Sequence, residues 1–131
     1  MPQGKTFEEL EVWQAAKRAA VSVFQLTREG ALSKDFGYRD QLQRAAVAMM
    51  AHIAGGHDRG RNAGLGECLH QAKASAAEAR SLVHVGRDLG YLTDSQKAEL
   101  LEQLTGVSRQ LGGFIRYLEK GPAPRAAGDE P

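Results

Sequence analysis

Apolar residues recur along most of the chain at every third or fourth position, which is the spacing of one face of an α-helix. One series consists of Tyr38, Leu42, Ala45, Met49 and Ile53. Two equally regular series follow, from Leu65 to Gly86 and from Leu100 to Leu118. No strand-length alternation is present, and no proline lies between Pro2 and Pro122. The pattern therefore predicts an all-α fold.

Capping residues and glycines predict where the helices begin and end. The run Thr6-Phe7-Glu8-Glu9 has the sequence of a capping box, which predicts a first helix from Thr6 to about Arg28. A second helix is expected to begin near Phe36 and to end at Gly55-Gly56, because glycine readily takes the left-handed conformation that closes a helix.

The last two helices have clear boundaries as well. The third is expected to start near Gly64, and Thr93 or Asp94 can cap the fourth after the turn at 89–92. Short connections favour antiparallel neighbours, so we predict an up-down-up-down antiparallel four-helix bundle. Residues 1–120 would form this single domain, and the composition of 121–131 predicts a disordered tail.

The first helix carries two apolar stripes. One contains Leu10, Trp13, Ala20 and Phe24, and we expect it to face the core, with Trp13 as a core residue. The second lies about 100° away and consists of Val12, Ala16, Ala19, Val23 and Leu26. A surface helix of a monomeric bundle needs an apolar arc of only about 100°. The second stripe therefore predicts an interface between copies of the chain; coverage by neighbouring side chains is the alternative.

Composition narrows the class of protein. The 131 residues are 42% apolar and 25% charged, with a formal charge of +1, as expected for one soluble domain and not for a histone-like polycation. The single cysteine, Cys68, excludes an internal disulfide and suits a cytoplasmic protein. No apolar stretch is long enough to span a membrane, so no membrane association is expected.

Patterns that would indicate catalysis or metal binding are incomplete. A di-iron bundle needs two Glu-x-x-His motifs, and only Glu67-Cys68-Leu69-His70 has that spacing. The glycine-rich run 55–64 lacks the Gly-Lys-Ser/Thr of a phosphate-binding loop, and no Gly-x-Ser-x-Gly is present. We therefore expect no catalytic residue, no metal, no cofactor and no small-molecule substrate.

A basic stripe on the third helix stands out among the charges. Its members return to nearly the same helical azimuth and are His70, Lys73, Arg80, His84 and Arg87. Between Lys34 and Arg87 there are eight Lys/Arg and five Asp/Glu. Such a face can neutralise the phosphates of RNA or DNA, although an ordinary solvated helix face has the same composition. The candidate nucleic-acid-binding residues are Arg44, Arg59, Arg61, Lys73, Arg80 and Arg87.

Several ordered motifs resemble those of the 23S rRNA intervening-sequence protein family. The run at 7–16 is similar to its Phe-x-x-Leu-x-Val-Trp-x-x-Ala start, and 35–46 is similar to the opening of its second helix. Ala72-Lys73-Ala74-Ser75 resembles a motif of its third helix, and 89–92 matches its turn. Arg44 and Arg59 lie on motif positions, whereas His52 and Gly55 replace an asparagine and a glutamate of the pattern.

The resemblance implies a bacterial four-helix bundle that assembles as a ring, usually a homopentamer, with no assigned catalytic residue. It leaves two hypotheses of function. One is a non-enzymatic protein associated with nucleic acid through the basic face. The other is an oligomeric protein-interaction scaffold without nucleic-acid contact.

Overall fold

Four α-helices account for most of the chain in a computed structural model that describes residues 6–60 and 64–120. They are α1 (Glu11–Leu26), α2 (Phe36–Arg59), α3 (Leu65–Asp88) and α4 (Asp94–Lys120). The described ranges contain no strand, which confirms the all-α class. The predicted tail at 121–131 and the candidate Arg61 lie outside the described residues.

Helix α1 begins later than the capping box predicts. The Thr6 amide donates to Glu9 Oε1 at 2.9 Å, but this bond closes a separate 3-10 turn at Phe7–Glu9. Leu10 then adopts an extended backbone, is buried, and precedes the first residue of α1. The box therefore marks the turn that leads into the helix.

Helix α2 does not end at Gly55-Gly56, as predicted, but continues through both glycines to Arg59. Gly60, at φ +88°, takes the backbone conformation that terminates it. Gly56 serves close packing instead, because a Cβ built on it would lie 2.6 Å from Cys68 Cβ of α3. The missing side chain lets the two backbones approach each other there.

The start of α4 agrees with the sequence. The Thr93 amide donates to Gln96 Oε1 at 2.9 Å, and the Gln96 amide donates to Thr93 Oγ1 at 3.0 Å. These two bonds form a complete capping box. Thr93, and not Asp94, is therefore the capping residue.

Contacts between successive helices are those of antiparallel neighbours. The Tyr38 hydroxyl, near the start of α2, donates to the Leu82 carbonyl near the end of α3 at 2.5 Å. Gln43 of α2 donates to Thr27 Oγ1, just beyond α1, at 2.8 Å. These contacts are compatible with the predicted up-down-up-down topology. The core they enclose includes fully buried Leu42, Met49, Ile53, Leu69, Val83, Leu104 and Leu111.

The second stripe of α1 is buried, and of the first stripe only Leu10 and Ala20 are buried with it. Val12, Ala16, Ala19 and Val23 are at most 6% exposed in a single chain, so they form the core and offer no surface to a second copy. Leu26 is partly buried against the same core. The interface assigned to this stripe is therefore wrong in its placement, because the core of one chain already covers it.

Trp13 lies at the edge of the core and not inside it. Its ring packs edge-to-face against Phe7, with centroids 5.2 Å apart, and Lys17 Nζ lies 5.4 Å from its centroid. Phe24, on the same stripe, is also only partly buried. The outer flank of α1 is thus aromatic and half-exposed.

Candidate nucleic-acid interface

The basic stripe of α3 lies along the boundary with α4. Arg87 at one end contacts Asp94, and His70 at the other end contacts Glu119. Between them, Arg80 Nη1 donates to Ser108 Oγ at 3.2 Å. The order of partners along α4 is reversed because the two helices are antiparallel.

Acidic residues of α4 contact the two ends of the stripe. Arg87 Nε donates to Asp94 Oδ1 at 2.6 Å. This hydrogen bond raises the pKa of the Arg87 guanidinium and lowers the pKa of the Asp94 carboxyl. At the opposite end, His70 Nε2 lies 3.7 Å from Glu119 Oε2. Arg87 is therefore a paired cation and a weak candidate for binding phosphate.

Between these two contacts, the boundary carries cations without acidic partners among the described residues. Lys73 Nζ lies 4.0 Å, and Arg116 Nη1 3.4 Å, from the point where a Cβ on Gly112 would be. Within 6–60 and 64–120, no acidic side chain lies within ion-pair distance of Lys73, Arg80 or Arg116. We call these three residues the α3–α4 cationic surface.

The other predicted cations lie elsewhere. Arg44 is exposed on α2, beside Phe24 of α1. Arg59 is the last residue of α2, and its Nη1 lies 3.7 Å from the Cβ position of Gly64 at the α2–α3 connection. Of the six candidates, Lys73, Arg80 and Arg87 lie on α3 at intervals of seven residues, and Arg87 is paired with Asp94.

Arg116 is not among the six candidate nucleic-acid-binding residues that the sequence predicts. Its stripe on α4 includes Arg109, seven residues earlier, and this spacing was the available signal. Only the antiparallel contact with α3 places Arg116 beside Lys73, so α4 alone gives no reason to prefer it.

A second surface lies at the boundary between α1 and α2. Val21 and Val47 are 48% and 40% exposed, and partly buried Phe24 and Met50 lie with them in one shallow depression between α1 and α2. We call these four residues the α1–α2 apolar surface. Lys17 and Arg28 border it.

Two further searches concern the described part of the chain. It contains no group of three or more His, Cys, Asp or Glu side chains that could hold a metal ion. None of its helices is long and apolar enough to cross a bilayer.

Comparison with known proteins identifies relatives of the fold. No curated protein matches the sequence. A crystal structure from Bacteroides thetaiotaomicron, described as a protein with unknown function from the S23 ribosomal protein family, superposes with a TM-score of 0.73 at 18% identity. The match covers 80% of this chain and 98% of that one, and it establishes similarity of fold. The model of the 23S rRNA-intervening sequence protein family matches residues 8–113. The chain therefore belongs to the 23S rRNA-intervening sequence protein family.

Proposed function

We propose that this protein is a non-enzymatic, cytoplasmic bundle that binds the phosphate backbone of structured RNA or DNA through the α3–α4 cationic surface. The observation that carries the proposal is the group of three cations, Lys73, Arg80 and Arg116, without acidic partners among the described residues. Lysine and arginine bind phosphates and release condensed counterions, so affinity of this kind falls steeply as salt rises.

The geometry favours backbone contact over recognition of bases. Lys73 and Arg80 are seven residues apart on one helix, which is a rise of about 10.5 Å. That distance spans about three nucleotide steps at about 3.4 Å per strand. Helix α3 carries no Phe, Tyr or Trp, so Lys73 and Arg80 have no aromatic side chain on their own helix on which unpaired bases could stack.

The test is fluorescence anisotropy with a labelled RNA hairpin and a DNA duplex at low and moderate salt. Lys73→Gln with Arg80→Gln should weaken binding and lower the slope of log affinity against log salt by about 0.9 for each lost phosphate contact. Arg18→Gln with Lys34→Gln removes the same charges from exposed positions outside this surface and should bind nearly as the unmodified protein does.

Two outcomes contradict the proposal. One is the absence of binding by the unmodified protein at low salt. The other is equal weakening by both double variants, because binding would then depend on net charge and not on this surface.

The second candidate function is assembly as an oligomeric scaffold, and the α1–α2 apolar surface favours it. Val21, Val47, Phe24 and Met50 form a connected apolar area, which commonly marks a protein interface. A second copy of this chain is the occupant we propose. The pentameric ring implied by the family resemblance supplies the stoichiometry.

Light scattering coupled to size exclusion tests this assembly. Val21→Glu and Val47→Glu should keep the helical circular dichroism signal but reduce the mass to one chain. Val85→Glu is the matched control, because Val85 is a similarly exposed valine, 42%, on α3. A one-chain mass for the unmodified protein at micromolar concentration would exclude self-assembly.

A further inference from the structure

The recess above Gly112 brings two cationic groups to one point. Lys73 Nζ from α3 and Arg116 Nη1 from α4 lie 4.0 and 3.4 Å from the position of its absent Cβ. Gly112 is buried and helical, and its φ is not positive, so the backbone conformation does not require glycine. What glycine provides there is space between the two cations.

The two cations have no acidic partner within ion-pair distance among the described residues. An anion placed between them would interact favourably with both charges at once. The acids of α4 that contact the stripe, Asp94 and Glu119, are engaged with Arg87 and His70 at its two ends. Lys73 and Arg116 are therefore both available to a bound anion.

We propose that the recess formed by Lys73, Arg116 and Gly112 is a discrete site for one phosphate group, a phosphodiester of the nucleic-acid backbone. The identity of the occupant rests on the proposed function. Arginine offers a planar pair of donors that matches two phosphate oxygens, and lysine adds a mobile point charge. Arg80, held by Ser108 one turn of α4 before Gly112, extends the positive surface toward the next phosphate.

The experiment introduces a carboxylate into the site by substitution of Gly112. Gly112→Asp places a carboxylate between Lys73 and Arg116, and Gly112→Asn is the uncharged control of the same size. Melting temperature is measured during titration with inorganic phosphate, and affinity for the RNA hairpin is measured by anisotropy.

Phosphate should raise the melting temperature of the unmodified protein, and of the Asn variant to a smaller extent, but not that of the Asp variant. Without phosphate, the Asp variant should melt above the Asn variant, because its carboxylate pairs with both cations. Its affinity for the hairpin should be at least about tenfold weaker than that of the Asn variant, since the loss of one charged hydrogen-bonded contact commonly has that size.

A surface variant covers the case in which substitution at 112 disturbs folding. Arg116→Gln changes an exposed side chain and should lose the response to phosphate, whereas Arg109→Gln, exposed on the same stripe of α4, should retain it. Equal responses of these two variants, or of Gly112→Asp and Gly112→Asn, would overturn the site.

The outcomes also separate this site from the proposed function. Salt-dependent hairpin binding that is equal in the Asp and Asn variants would refute the phosphate site in the recess but would still support the proposed function. A response to inorganic phosphate without any hairpin binding would overturn both the phosphodiester assignment and the function.

Discussion

Two adjacent glycines of α2 have opposite surroundings. A Cβ on Gly55 would have no atom within 4 Å, whereas a Cβ on Gly56 would lie 2.6 Å from Cys68 Cβ and 3.2 Å from Leu65 Cδ1. Both positions are helical. The same substitution at each therefore separates helix propensity from packing.

Gly55→Ala should raise the unfolding free energy by about 0.5–1 kcal/mol, because alanine is the better helix former. Gly56→Ala should lower it by about 1–3 kcal/mol, the usual cost of overpacking, since α2 and α3 must separate. Urea denaturation followed by circular dichroism measures both. Equal shifts of the same sign would show that α2 and α3 do not approach each other at Gly56.

Asp35 links two turns at one end of the bundle. Its Oδ2 accepts the hydroxyl hydrogen bond of Tyr91 at 2.6 Å, and its Oδ1 accepts the Tyr38 amide at the start of α2 at 3.1 Å. The bond from Tyr91, and next the bond from Tyr38, lower the pKa of Asp35 from its usual value of 3.8. The ionised carboxylate therefore stabilises the folded state.

The sign of the pH dependence follows from this lowered pKa. The stabilisation is present above the unfolded-state pKa, for which we take the usual value of 3.8, and is lost as the pH falls through the lower folded-state value. Asp35→Asn should reduce stability at neutral pH and flatten its fall below about pH 4. Asp58→Asn, at an exposed acid with no hydrogen bond to another described residue, is the control. Thermal melts from pH 2 to 7 compare them, and parallel curves for Asp35→Asn and the unmodified protein would refute the role.

At the scale of the helices, the spacing of apolar residues predicted which segments are helical better than it predicted which face of each helix is buried. The starts of α2, α3 and α4 and the cap at Thr93 follow from local residues, so the sequence contains them. The end of α2 could not be predicted from local residues. Gly56 is a close-packing position against α3, and the residues around it in the sequence do not show this. The choice of inner stripe on α1 also depends on the neighbouring helices, which a single-helix projection leaves out.

Substitutions at two valines of α1 test which face of this helix is inside. Val23 is 0% exposed and Val21 is 48% exposed. Val23→Glu should unfold or severely destabilise the protein, because it buries an unpaired charge. Val21→Glu should retain a cooperative thermal transition, because Val21 is exposed in the single chain. Thermal melts followed by circular dichroism distinguish the two variants. A Val23→Glu variant that folds normally would contradict the burial of Val23.

At the scale of the whole molecule, a formal charge of +1 conceals an uneven surface. The sequence could predict the azimuth of Lys73 and Arg80 on α3, but not which residues of α4 stand opposite them. The pairing of α3 with α4 decides which cations are available: Arg87 is paired with Asp94, whereas no acid of the described residues pairs with Lys73. The site therefore emerges only when the two helices are placed together.

Release of Arg87 should strengthen nucleic-acid binding. Asp94→Asn removes the acid that holds the Arg87 guanidinium and so adds one cation beside Arg80. We expect tighter binding to the RNA hairpin and a salt slope steeper by up to about 0.9. Glu78→Gln makes the same change in net charge at an exposed position of α3 outside the basic stripe. Equal gains in both variants would mean that overall charge and not Arg87 is responsible.

The pairing of Arg87 with Asp94 limits how much one molecule can gain from nucleic acid. Three available cations correspond to about three phosphates, so affinity should fall only roughly 40-fold between 50 and 200 mM salt. Tight binding then requires several copies on one nucleic acid, where each bound copy raises the effective concentration for the others. Ligand length should consequently act as a threshold: a duplex that accommodates one copy would bind weakly, and one that accommodates several would bind with strong avidity.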